Sequence, residues 1–163
     1  MDTESVAAGR LGHTIKRAEQ ALIGRKSKAL REFGLTVPQY AVLLLLSVSE
    51  GMSAAQLARE CMVTPQTMAT VLTNLERSGL IERSVSPLHR KVTVNVISEP
   101  GRELVERADR AALRVEGALA AAFTPREAAA LDALLERAID ALDGLEGLDG
   151  AEGPDGANRP DGR

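Results

Sequence analysis

The chain has 163 residues, 44% hydrophobic and 26% charged, which is enough for one domain of ordinary size or a small domain with an appendage, and too little for the two full cores of most multidomain enzymes. Aromatic residues make up 2% (Phe33, Phe123 and Tyr40, with no tryptophan), and Ala, Leu, Glu and Arg are in excess, which favours a helical fold. The formal net charge of −3 argues, at face value, against a nucleic-acid partner, because DNA binding neutralises phosphates with Lys and Arg.

Residues 1–10 lack the basic-then-apolar order of a signal peptide and read as a flexible N-terminus. From Leu11 the pattern becomes helical: Leu11, Ile15, Ala18, Leu22, Ala29 and Phe33 share one face, and Gly34 ends the segment. Seven basic residues between Arg10 and Gly34 face only two acidic ones, Glu19 and Glu32. Thr36 and Gln39 form a capping box that opens a second helix, which is expected to run through the apolar stretch Tyr40 to Val48 as far as Gly51. Apolar nearly all round, this helix is expected to be central and buried. The run from Ala41 to Val48 is too short to span a bilayer, and with the lone Cys61 unable to form an internal disulfide, a cytoplasmic protein with no membrane partner is expected.

Ser53 and Gln56 repeat the capping box before a short third helix, Ala54 to Glu60, whose inner face is Leu57, Ala58 and Cys61. Thr64 caps a fourth, with Pro65 at the first helical position, where its missing N–H is harmless. Met68, Val71, Leu72 and Leu75 then follow at i, i+3, i+4 and i+7, and Gly79 ends the helix. After Gly79 the period changes towards 2. Leu80 to Val85 reads as a strand, Ser86 to Lys91 as a turn, and Val92 to Ile97 as a returning strand in which Val92, Val94 and Val96 alternate with Thr93, Asn95 and Ile97. A two-stranded hairpin needs support from the helices before it.

Ser98 and Pro100 begin a fifth helix carrying Leu104, Val105, Ala108, Ala112, Val115 and Leu119 and continuing to Phe123. Thr124, Pro125 and Glu127 open a sixth with Leu131, Leu134, Leu135, Ala138 and Leu142. Residues 143–163 form an acidic, Gly-rich tail; without dense imino acids its five Gly-X-Y triplets read as disorder rather than collagen.

Two short helices joined by a tight turn at Met62 to Thr64 and followed at once by a hairpin form a winged helix-turn-helix pattern, in a fold that is mainly α with a two-stranded β-wing. The second helix of such a pair enters the major groove. Its outward face here is Gln66, Thr67, Thr70, Thr73, Asn74 and Arg77, where a merely solvated face would carry Glu and Lys. Gln66 and Asn74 suit adenine, Thr67 and Thr70 suit bases, phosphates and thymine methyls, and Arg77 suits phosphate. Ser53, Thr64 and Pro65 at the two helix N-termini complete the DNA-facing set, with the cationic hairpin tip His89, Arg90 and Lys91, which suits the minor groove.

LTVPQY from Leu35, the pair Leu57 and Ala58, LERSGLIER from Leu75 to Arg83, and SEPG from Ser98 to Gly101 together resemble the MarR family of bacterial transcription regulators. The family's wing tip usually reads Asp-Pro-x-Asp-Arg-Arg. Here it is Ser86, Pro87, Leu88, His89, Arg90 and Lys91, so Arg90 takes the place of the minor-groove arginine and His89 replaces the acidic residue that orients the wing. The resemblance implies a homodimer assembled through residues 11–34 and 99–142, with residues 35–98 as the DNA-reading region. It also implies a repressor of a pseudo-palindromic operator with half-sites roughly one turn, about 10 bp, apart. The long apolar stripes of the first and last two helices support dimerisation independently, since one small core cannot absorb them.

Family members are released from DNA by small anionic aromatic effectors or by cysteine oxidation. His13, Lys16, Arg17 and Tyr40 are the residues available to line such an effector crevice, although a tyrosine opening a helix also serves packing. Cys61 lies at the end of the third helix, away from the first-helix position of the family's peroxide sensors, and reads as a small buried hydrophobe. His13, His89 and Cys61 make no metal cluster, and neither a Gly-rich phosphate loop nor a nucleophile elbow occurs, so neither a cofactor nor an enzyme is expected.

A different class of function is a winged-helix dimer without DNA binding that serves as a protein-interaction module. The altered wing and the acidic last two helices favour it, with nine acidic residues against six basic over residues 99–142. The charge distribution favours DNA. The tail from Asp143 holds six acidic and two basic residues, so residues 1–142 sum to +1, and residues 53–97 carry a local +2.

Overall fold

The structure is a computed structural model that describes residues 10–85 and 93–146. Its elements are α1 (Leu11–Leu30), a 3-10 turn (Arg31–Phe33), α2 (Val37–Ser47), α3 (Ala54–Glu60), α4 (Pro65–Arg77), β1 (Ile81–Val85), β2 (Thr93–Ile97), α5 (Glu99–Ala120) and α6 (Pro125–Glu146). This is the mostly helical fold with a two-stranded wing that the sequence pattern predicts. Expectations for residues 1–9, the wing tip at 86–92 and the tail from 147 lie outside the described residues.

Local chemistry sets the helix starts. At α2 the Thr36 N–H donates to Gln39 Oε1 at 2.9 Å and the Gln39 N–H donates to Thr36 Oγ1 at 3.4 Å. Ser53 with Gln56 at α3, and Thr124 with Glu127 at α6, make the same reciprocal pair. Each box satisfies two N–H groups that no helix can satisfy for itself.

The described residues divide within α5 into two units, one through Ala118 and one from Leu119 onward. The core belongs to the first. α2 sits at its centre with Val42, Leu43 and Leu46 fully buried, and Leu57, Met68, Leu75, Ile81, Val105 and Ala108 join the same cluster. Each of these Val, Leu, Ile and Met side chains contributes roughly 1.5–3 kcal/mol by leaving water. α2 ends at Ser47, short of the expected Gly51. Arg102 of α5 donates from Nη1 to the Ser47 carbonyl at 2.9 Å, and the Val48 N–H turns back to Leu45, leaving Val48 exposed. A cation at a helix C-terminus also complements its dipole.

The wing grows from this core. β1 and β2 pair antiparallel from Ile81 opposite Ile97 to Val85 opposite Thr93. Strict alternation would place Asn95 on the solvent side, but it is 5% exposed. Its N–H and the Met52 N–H exchange bonds with the opposing carbonyls at 2.8 and 3.0 Å, and its Nδ2 donates to the Met52 carbonyl at 3.1 Å. The segment before α3 thus forms a one-residue third strand, which fixes the base of the wing to the helix pair.

The return from β2 into α5 depends on Gly101. A Cβ there would lie 2.1 Å from the Leu80 carbonyl oxygen, so only glycine lets the first turn of α5 approach the start of the wing. Ser98 closes the junction, its Oγ donating to the Gly79 carbonyl at 2.6 Å and accepting from the Gly101 N–H at 3.2 Å. The SEPG segment is therefore a packing device.

Leu11 and Ile15, on the first half of α1, are exposed, in keeping with stripes that one small core cannot absorb. Two further helix ends differ from expectation. α5 ends at Ala120 rather than Phe123, because the Ala122 and Phe123 N–H groups turn back to Leu119 and Ala120 before the Thr124 cap. α6 continues to Glu146, past the expected boundary at Leu142. Once a helix is nucleated, each further residue gains a hydrogen bond, and Gly144 costs only about 1 kcal/mol. Among the described residues, no single helix is long and apolar enough to cross a membrane.

Candidate nucleic-acid interface

The orientation of α4 follows from its own sequence. Met68, Val71, Leu72 and Leu75 are buried at helical spacing, which fixes the rotation of the helix about its axis. Gln66, Thr67, Thr70, Thr73 and Arg77 are consequently exposed, with Asn74 half-buried at their edge. Gln66, Ala69, Thr70, Thr73, Asn74 and Arg77 together line a shallow groove of about 330 Å³.

Hydrogen bonding within the helix defines what this face can offer. Thr70 Oγ1 donates to the Gln66 carbonyl at 3.2 Å and Thr73 Oγ1 to the Ala69 carbonyl at 2.9 Å. Their hydroxyl protons are thereby committed, so outward they present lone pairs and methyl groups, suited to amino donors and thymine methyls. Gln66 and Asn74 have both donors and acceptors, the requirement for bidentate contact with adenine.

The N-terminal end of α4 is set by Thr64, whose Oγ1 accepts from the Thr67 N–H at 3.1 Å and lies 2.9 Å from Thr67 Oγ1. Pro65 occupies the first turn. The turn before it runs through Met62, a non-glycine residue at φ 52°. Ser53 is held by the capping box of α3, so its hydroxyl is committed within the protein. Arg83, one of the cations behind the local +2 of residues 53–97, is paired with Glu76 at 3.1 Å, and its charge is matched locally. His89, Arg90 and Lys91 lie outside the described residues.

A second feature of the first unit is a cavity of about 390 Å³. Its apolar wall is Ala41, Leu44, Leu45, Ala112 and Leu113, and its polar groups are Lys26, Tyr40, Glu60, Cys61, Asp109 and Glu116. Tyr40 is buried and donates its phenol proton to Asp109 Oδ1 at 2.6 Å. Burial, that hydrogen bond and the neighbouring carboxylates push the phenol well above its ordinary ionisation range. Lys26 forms an ion pair with Glu116. Of the four residues expected to line an effector crevice, only Tyr40 lines this cavity. His13, Lys16 and Arg17 stay on the exposed first half of α1, where Lys16 pairs with Glu19 at 2.7 Å.

Cys61 is half-buried on the cavity wall rather than sealed in the core, and burial together with Glu60 raises its thiol above the ordinary value. Sequence reasoning missed Asp109, Lys26, Glu60 and Glu116, because charged residues on amphipathic helices carry no signal of which cavity they border. Among the described residues, no group of His, Cys, Asp and Glu is placed to hold a metal ion.

The model of the MarR family matches residues 33–91. The HTH-type transcriptional repressor Rv2887 of Mycobacterium tuberculosis is 34% identical over 127 residues, spanning 78% of this chain and 91% of that protein. The crystal structure of Rv2887 with DNA is similar at a TM-score of 0.62 and 33% identity, covering 79% of this chain and 97% of that one. The Rv2887 complex with salicylic acid is similar at a TM-score of 0.63 and 33% identity, covering 79% and 96%.

Proposed function

The chain belongs to the MarR family of transcriptional regulators, and on that premise we propose that it is a homodimeric repressor that holds a pseudo-palindromic operator by laying α4 in the major groove. It is a DNA-binding regulator and not an enzyme. The observation that carries the reading is the division of α4 into a buried apolar stripe and an outward face of Gln66, Thr70, Thr73, Asn74 and Arg77. The solved DNA complex of Rv2887 supports the same role for this chain.

Gln66, Asn74 and the threonine methyls read bases, while Arg77 and the N-terminal turn of α4 at Thr64, Pro65 and Thr67 meet phosphates. Ser53 contributes by capping α3, and Arg90, with His89 and Lys91, reaches the minor groove from the wing. The protein works in the cytoplasm, where the bacterial chromosome lies.

Dimerisation is supported by apolar side chains left exposed on both units. Leu11, Ile15 and Ile23 are exposed on α1, and Leu131, Leu134, Leu135, Ile139 and Leu142 on α6. Large apolar side chains exposed in this number are costly in water and are covered by a second copy.

A small aromatic ligand in the cavity beside Tyr40 lifts DNA binding. Support comes from the salicylic acid complex of Rv2887 and from the position of the cavity between α2 of the reading unit and the long helix α5.

Selection of bound sequences from random duplex DNA, followed by a mobility shift on the recovered motif, tests the proposal. A motif of two half-sites about 10 bp apart is expected. If the intact dimer binds no duplex even at low salt, the winged helix serves protein interaction instead.

A further inference from the structure

The cavity beside Tyr40 has a charge balance opposite to that of a site built for a carboxylate. One cation, Lys26, faces three carboxylates, Glu60, Asp109 and Glu116, among the described residues of its lining. Lys26 is already paired with Glu116. The phenol of Tyr40, a neutral donor that could serve an anion, gives its proton to Asp109 at 2.6 Å. An incoming carboxylate would therefore meet a phenol whose proton is already given away, an ammonium whose charge Glu116 already matches, and two carboxylates, Glu60 and Asp109, with no cation of their own among the described residues of the lining. Desolvating it there would go uncompensated.

A donor-bearing cation meets the reverse. The second oxygen of Asp109, the Glu60 carboxylate and the phenol lone pairs all accept, and Ala41, Leu44, Leu45, Ala112 and Leu113 provide an apolar wall for a hydrocarbon body. The volume of about 390 Å³ lies in the range of small-molecule sites. We infer that this cavity selects an organic cation, an ammonium carried on an aromatic or alkyl body, rather than the anionic aromatic acid expected from the family resemblance. The inference rests on the proposed effector role of the cavity and changes the chemical class of its ligand.

The test is calorimetric titration of the full-length protein with two probes of one shape and opposite charge, 3-phenylpropylammonium and 4-phenylbutanoate. Wild type is expected to bind the ammonium at least about tenfold more tightly. Glu60→Gln, at an exposed position, and Asp109→Asn are each expected to reduce that preference severalfold, with circular dichroism confirming that both variants fold. Tighter binding of the carboxylate, or a cation preference that neither variant changes, overturns the inference while leaving the cavity an effector site. Binding of neither probe at millimolar concentration overturns the effector role itself, and the inference with it.

Discussion

Tyr40, near the start of α2, and Asp109, in the middle of α5, are 69 residues apart in sequence and joined by a 2.6 Å hydrogen bond in which the phenol donates to the carboxylate. The bond ties the central helix of the reading unit to the long helix that follows the wing. Because the proton is held between a buried phenol and a carboxylate, the link depends on Tyr40 staying neutral.

A pH dependence of stability follows. Burial, with the Asp109 carboxylate, raises the folded-state ionisation of Tyr40 above its unfolded value of about 10. Native protein keeps the proton where the unfolded chain has released it, so this contribution is complete below about pH 10 and declines as pH rises further. Urea unfolding between pH 8 and 11 should show a steeper alkaline loss of stability in wild type than in Tyr40→Phe. The variant should be less stable at pH 8 by about 1–2 kcal/mol. Parallel pH profiles for the two proteins would show that the phenol does not ionise differently on unfolding.

Gly101→Ala should be among the most damaging single-methyl changes in the chain. Its Cβ would lie 2.1 Å from the Leu80 carbonyl oxygen, a backbone atom that cannot rotate away. Overpacking of this kind costs about 3 kcal/mol, readable as a lower thermal midpoint. Gly117→Ala, on the same helix with open space around it, is the matched control and should be neutral or slightly stabilising.

The wing base should loosen when the Asn95 side chain is removed. Asn95→Ala deletes the bond from Nδ2 to the Met52 carbonyl while leaving the backbone pair intact. A loss of about 1 kcal/mol is expected. Faster amide exchange should be confined to Met52 and Asn95, with the α4 amides unchanged.

Cys61 should be a slow thiol. Its raised ionisation, caused first by burial and then by Glu60, leaves it mostly protonated at pH 8, and the thiolate is the reactive form. Alkylation by iodoacetamide at pH 8 should be severalfold slower than that of a free cysteine, and Glu60→Gln should speed it. Reaction at the free-thiol rate would contradict this.

Elements encoded by short-range chemistry were legible from the chain alone. The Thr36, Ser53 and Thr124 boxes lie three residues from their partners, and the α4 stripe repeats within one helix, so the starts of these helices and the outward face of α4 follow from sequence. The fate of Asn95 was not legible, because a period of two states only alternation and Met52 lies 43 residues away. The cavity was hidden for the same reason. Tyr40 was readable as a candidate, but Asp109 and Glu60 join it only through the packing of α2 against α3 and α5. His13, Lys16 and Arg17 do not join Tyr40 at the cavity, because α1 keeps them on its exposed first half.

The central claim is that α4 reads bases with its outward face while the wing arginine, in the minor groove, adds affinity on every sequence. Its most direct test is equilibrium binding of wild type, Gln66→Ala and Arg90→Ala to the selected operator and to single-base variants of it, over a range of salt concentrations. Gln66→Ala should lose about 1–3 kcal/mol and relax discrimination at one base position per half-site. Arg90→Ala should weaken binding to every sequence alike and lower the salt slope by about 1 per half-site. Equal losses from both variants on every sequence, with no base position relaxed, would contradict the assignment of α4 as the reading helix.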